Sequence, residues 1–171
     1  HPRVAKTLLA HFASLVNGSS IVRGSSFLKE KLNQKIFKNE INIIDNPNII
    51  RGLSSKPFDD EGCSMEKISL VENGVLKNWI LDTTTAKQLS MVSNSRASRG
   101  VSSPPTPSHT NMFIENGSKS SKQLLNEVDN GFYVTDLIGQ GVNLITGDYS
   151  RGASGFKIEN GEISFPINEV T

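Results

Sequence analysis

Three copies of Glu-Asn-Gly, at 72–74, 115–117 and 159–161, constrain the fold of this chain more than any other feature. Asn and Gly both accept the positive φ that a two-residue hairpin turn demands, and such turns match the twist of the strands they join. Apolar, partly alternating runs flank the copies: 65–71 and 75–81 around the first, 111–114 before the second, 156–158 before the third. The copies keep no fixed period, so they argue for repeated antiparallel pairing and against a repeat architecture. The reading is an α+β fold, predominantly antiparallel sheet with several hairpins and a few short helices.

The helices come from other signals. Val4, Leu8, Leu9, Phe12, Leu15 and Val16 recur at helical spacing, Pro2 suits a first turn and Asn17-Gly18 a stop. The run Ile21-Val22-Arg23, between Gly18-Ser19-Ser20 and Gly24-Ser25-Ser26, is expected to be extended between two turns. Short helices are expected over 27–34 and 84–91, and a strand over 41–44 ended by Asn46-Pro47. Pro104, Pro105 and Pro107 exclude regular helix and central strand from the serine-rich stretch 93–108, which becomes a crossing loop or flap. Ser120-Ser121 can cap a helix through Val128, ended by Asn130-Gly131. From Phe132 the order is strand, Gly139-Gln140-Gly141, strand over 142–146, long loop, strand over 156–159, Asn160-Gly161 and a last strand. The whole of 1–171 is expected to be a single domain.

Composition narrows the function. With 36% hydrophobic and 20% charged residues the chain can build a core, and a formal net charge of +1 offers no field for nucleic acid or an anionic membrane. Arg23, Arg51, Arg96, Arg99 and Arg151 are scattered and form no patch. No apolar run reaches the roughly 18 residues of a membrane span. Cys63, the only cysteine, excludes an internal disulfide and suits a reducing, cytoplasmic compartment. The start, His1-Pro2-Arg3, lacks an initiating Met and a secretory layout, so the numbering is expected to begin inside a longer protein.

Most catalytic constellations are missing. The histidines are His1, His11 and His109. Only His11 lies on an expected helix, where Phe12 rather than Glu follows it and no second His comes four or five residues on. Cys63 has no nucleophile signature. Asp59-Asp60-Glu61 lacks the ligand spacing of a calcium loop and fits a solvated turn. Gly139-Gln140-Gly141 lies between strands and opens no helix, so it is no phosphate loop.

Binding by backbone remains. Gly147-Asp148-Tyr149-Ser150-Arg151-Gly152-Ala153-Ser154-Gly155 is longer than a hairpin connection needs, and its glycines let other groups approach the main chain. One reading is a surface loop whose Arg151 pairs with a nearby carboxylate. The other is a loop that holds an extended peptide or a partner subunit, with Gly139, Gly141, Asp148, Tyr149, Ser150, Arg151 and Gly152 as candidate binding residues.

The wording of several segments together resembles the TldD/PmbA family, most of all its PmbA (TldE) branch. The segments are 134–143 (Val-Thr-Asp-Leu-Ile-Gly-Gln-Gly-Val-Asn), 146–156 (Thr-Gly-Asp-Tyr-Ser-Arg-Gly-Ala-Ser-Gly-Phe) and 159–163 with Pro166. Gly24-Ser25-Ser26-Phe27-Leu28, the run 51–62 and Ser103-Pro104-Pro105-Thr106-Pro107-Ser108 agree in order. The resemblance implies a subunit of a cytosolic metalloprotease active in proteolysis and peptide maturation, known in older usage as a modulator of DNA gyrase. It also implies a heterodimer with a TldD-like partner. In the TldD branch a helix carries His-Glu-x-x-x-His and a later Cys completes the metal site. Here the matching helix reads Leu8-Leu9-Ala10-His11-Phe12-Ala13-Ser14-Leu15, and a late Cys would fall beyond Thr171. The expectation is therefore a non-catalytic partner, with no cofactor in this chain and zinc in the TldD-like subunit. The alternatives are a metallopeptidase with His11 as one ligand, and an inactive structural fragment. The resemblance also implies that 1–171 is the central-to-C-terminal part of a longer chain.

Overall fold

Apolar spacing through residues 4–16 is answered by a helix. The computed structural model describes residues 1–170 and places α1 over Pro2–Leu15, with Phe12, Ala13 and Leu15 buried. The chain divides into two compact units, residues 12–115 and residues 1–11 with 116–171, so α1 contributes to both.

Within residues 12–115, a short helix over Gly18–Arg23 (α2) stands where an extended piece was expected. The Asn17 side chain accepts the Ser19 N–H, and Gly24 closes the helix at φ 71°. The glycine-serine clusters are thus cap and stop, and they enclose a helix that buries Ile21 completely. The helix expected over 27–34 is instead a series of turns. Asn33 has a φ of 62° and gives its N–H to Leu76 O at 2.7 Å, so the main chain there bonds to a strand rather than to itself.

Four strands follow in one antiparallel sheet: Ile43–Asp45 (β1), Ile68–Glu72 (β2), Val75–Leu76 (β3) and, further on, Met112–Ile114 (β6), in the order β3-β2-β1-β6. Between β3 and β6 come the helix Thr83–Gln88 (α3), capped by Asp82, and the two-residue strands Ala97–Ser98 (β4) and Thr106–Pro107 (β5), which pair with each other. Pro107 sits in that two-stranded pair, where the missing N–H costs no central ladder bond. Val16, Ile21, Leu70, Val71, Leu76 and Ile80 are wholly buried. Each such side chain removed from water contributes about 1.5–3 kcal/mol.

In the other unit, the Ser120 hydroxyl and the Gln123 side chain cap each other's backbone and start the helix Ser121–Asn126 (α4). Asn130-Gly131, expected to stop a helix, already belong to a strand over Asn130–Ile138 (β7). With Gly152–Glu159 (β8) and Glu162–Val170 (β9) it forms an antiparallel meander, β7-β8-β9. Asn160 at φ 51° and Gly161 at φ 79° make the β8–β9 turn, as Asn73 at φ 48° and Gly74 at φ 78° make the β2–β3 turn. The third Asn-Gly, at 116–117, makes no hairpin; β6 is the last strand of its sheet and the chain goes on to α4. The strand expected over 142–146 is also absent. Asn143 Oδ1 accepts the N–H groups of Ile145 at 3.0 Å and Thr146 at 3.3 Å, so the side chain takes donors that a ladder would need. No helix among the described residues is long and apolar enough to cross a membrane.

Candidate functional site

The connection between β7 and β8 holds the candidate residues, and it is a small self-bonded extension of the meander. Val142 and Tyr149 form an isolated antiparallel bridge. Ser150 N donates to Gly141 O at 2.7 Å, Asn143 N to Asp148 O at 2.9 Å and Gly147 N to Asn143 O at 2.9 Å. Thr146 Oγ1 donates to Asp148 Oδ2 at 2.6 Å and pins the tip. The ladder proper ends at Ile138 opposite Gly152. Gly139, Gln140 and Gly141 therefore stand across from Ser150 and Arg151 before the Val142–Tyr149 bridge resumes the pairing.

The two glycines of that bulged side differ. A Cβ on Gly141 would lie 1.9 Å from Ser150 O, so Gly141 is needed for the close approach of the two chain runs. A Cβ on Gly139 would meet nothing within 4 Å, so the backbone there borders open space. Gly152 begins β8, and Asp148 and Ser150 are exposed.

Tyr149 carries the loop to α1. Its ring meets His11 edge-on, with centroids 6.0 Å apart and planes at 73°. His11 Nε2 is buried and has no hydrogen-bond partner. Near its start α1 also meets β7, where Arg3 Nη2 reaches Asp136 Oδ1 at 2.8 Å. The structure thus brings His11 and Tyr149 together, and Gly141 and Ser150 together. Arg151 follows directly, half-buried, with Nε buried and without a partner. The ion pairs among the described residues are Arg3–Asp136, Lys56–Asp60, Arg96–Asp45 and Lys119–Glu127; the carboxylate expected beside Arg151 in the surface-loop reading is not there.

A structural or catalytic zinc needs three or four N, O or S ligands drawn together. His11 meets the Tyr149 ring in a T-shaped pair, and no group of three or more His, Cys, Asp and Glu among the described residues could hold a metal ion. The donor set present does not fit a zinc centre.

Two carboxylates were under-read from sequence. Asp59 is buried rather than solvated: Oδ1 accepts the N–H groups of Glu61 at 3.0 Å and Cys63 at 2.9 Å, and Oδ2 that of Ala97 at 3.1 Å. Only the first two partners are local, so nothing in the sequence announced the third. Asp60, beside it, is held below the ordinary carboxylate value of 3.8, first by the Arg99 backbone N–H and then by Lys56. Asp45 and Arg96 form a fully buried ion pair. A polar pocket of about 340 Å³ lies in the same unit, lined in part by Ser55, Lys56, Ser98, Ser108 and His109. It joins two stretches that the sequence singles out separately, 51–62 and 103–108.

Comparison with known proteins places this geometry. The family model described as the PmbA/TldA metallopeptidase C-terminal domain matches residues 1–171. The Haemophilus influenzae protein named Metalloprotease PmbA homolog is 39% identical over 168 residues, which cover 98% of this chain and 36% of that protein. A Bacteroides thetaiotaomicron crystal structure bearing the modulator-of-DNA-gyrase name superposes with a TM-score of 0.86 at 31% identity, over 98% of this chain and 36% of that one. The structure of TldE from Thermococcus kodakarensis gives a TM-score of 0.78 at 26% identity, over 92% of this chain and 37% of that one. The chain spans little more than a third of the length of the curated relative it matches. From its first residue to its last, it belongs to the PmbA/TldD metalloprotease family.

Proposed function

We propose that this chain is part of the PmbA-type, non-catalytic subunit of a cytoplasmic TldD/TldE peptidase. It pairs with a TldD-like subunit that supplies the zinc, and it shapes the channel in which an extended peptide lies during proteolysis and peptide maturation. The carrying observation is the surroundings of His11: on the helix that resembles the metal helix of the TldD branch, its ring packs edge-on against Tyr149 instead of joining other ligands. The self-bonded loop at 139–151 supports the binding role. It presents backbone at Gly139 to open space, and main chain is what an extended peptide pairs with. In this role the chain's own residues bind and orient and do not transfer protons.

The test is co-purification of the full-length chain with a TldD-like subunit, followed by zinc analysis and peptidase assay of each alone and both together. Activity and zinc that follow the TldD-like subunit, with turnover rising in the pair, are expected. Stoichiometric zinc and turnover in this polypeptide alone would refute the proposal.

A second reading has its own observation. His11 Nε2 is buried without a partner, which suits a nitrogen that waits for a ligand. A metal about 2.1 Å from that atom in a crystal of the full-length chain would establish His11 as one ligand of a metallopeptidase centre completed from outside these residues.

A further inference from the structure

Arg151 is the one cation in the 139–152 connection, and among the described residues it forms no ion pair. A guanidinium carries five N–H donors in a planar fork and cannot lose its charge in a protein. Burying Nε without an acceptor is costly, and a planar two-oxygen acceptor meets that need best. The surroundings are shaped for an acceptor from outside. The residues across the bulge from Arg151 and Ser150 are Gly139, Gln140 and Gly141; the two glycines supply no side chain, and among the described residues the Gln140 amide makes no hydrogen bond to the guanidinium. A Cβ at Gly139 would touch nothing. Tyr149 lies two residues before Arg151 along the run that enters β8, the spacing that puts two side chains on one side of an extended chain, and its ring packs against His11. His11 Nε2 is a second buried nitrogen without a partner on the wall that Tyr149 contacts.

We infer that Arg151 is the carboxylate-recognition residue of this domain, holding a carboxylate of the extended peptide, terminal or from an acidic side chain, between the guanidinium and the glycine-lined bulge at 139–141. The inference rests on the peptide-channel reading above and adds to it which end or residue of the peptide is gripped. Arg151 here is a binding and positioning residue.

The experiment uses the full-length chain assembled with its TldD-like subunit. Binding is followed by fluorescence anisotropy of fluorescein-Val-Ala-Val-Ala-Val as the free acid, as the C-terminal amide, and as an amide with an internal Glu. The free acid or the Glu peptide should bind about tenfold or more tightly than the plain amide, as expected for a charge-assisted pair. Which of the two gains tells a terminal carboxylate from a side-chain one. Arg151→Gln should bring the peptides to equal affinity, and Arg151→Lys should restore part of the difference, since it keeps charge and loses the fork. Circular dichroism checks that the variants fold; if they do not, the acid and amide comparison on the unaltered protein decides. Equal binding of acid, Glu and amide peptides overturns carboxylate recognition and leaves the channel standing. No binding of any peptide overturns both. A crystal of the full-length chain with Arg151 paired to a carboxylate of its own polypeptide also overturns the inference.

Discussion

Arg96 Nε donates to Asp45 Oδ2 at 2.5 Å, and neither side chain has any exposed surface. The pair is not isolated. Asp45 also accepts from the Thr110 N–H at 2.7 Å and the Thr110 hydroxyl at 3.0 Å, while the guanidinium donates to Asn94 O at 2.8 Å and to Glu66 O. One ion pair thus ties β1 to the segments before β2, β4 and β6.

Breaking this pair from one side leaves a buried charge unpaired, which costs about 3–5 kcal/mol. Asp45→Ala and Arg96→Met should each lower the unfolding free energy by that order, seen as a lower denaturant midpoint at unchanged slope. The double variant should lose less than the sum of the two. Additive losses in the double-mutant cycle would show that the two side chains are not energetically coupled.

Asp59→Asn should cost about 1–3 kcal/mol. The substitution is isosteric, but it turns an accepting oxygen into a donating NH2 group that faces the N–H of Ala97 or those of Glu61 and Cys63. A thermal melt no lower than that of the unaltered protein would show that the turn does not need both oxygens.

The Asp60 carboxyl is held below its ordinary value by the Arg99 N–H and Lys56. A lowered folded-state value means that this stabilisation is complete above the unfolded value, near pH 4, and disappears as pH falls through the folded one. The side chain is half-buried, so the contribution is about 1 kcal/mol or less. Melts of the protein and of Asp60→Asn should differ at pH 6 and converge toward pH 3. A constant difference across that window would assign the effect to something other than charge.

Gly141→Ala forces a methyl group to within 1.9 Å of Ser150 O unless the loop moves. The expected result is a loop detached from its bridge, at a cost of about 1–3 kcal/mol, with faster amide exchange at Ser150 while β8 keeps its protection. Unchanged exchange at Ser150 would count against the close approach.

The local devices of this fold were legible in the sequence. Apolar spacing announced α1, Asn73-Gly74 and Asn160-Gly161 announced their turns, and Ser120 announced the start of α4, because a period, a φ preference and a cap each act within a few residues. The same locality explains the misses. Asn116-Gly117 has the right φ preferences but no returning strand to join, and 142–146 has strand-forming residues while Asn143 offers their N–H groups a nearer acceptor. What the sequence by itself determined is a chain of antiparallel hairpins with one amphipathic helix whose single histidine has no second histidine four or five residues on. Only the tertiary structure decided that Asp45 finds Arg96, that Tyr149 closes on His11, and that Arg151 is left without an ion pair among the described residues. Those outcomes depend on strand register and on which distant segments share a sheet, and register is fixed by summed packing over many residues rather than by any one of them.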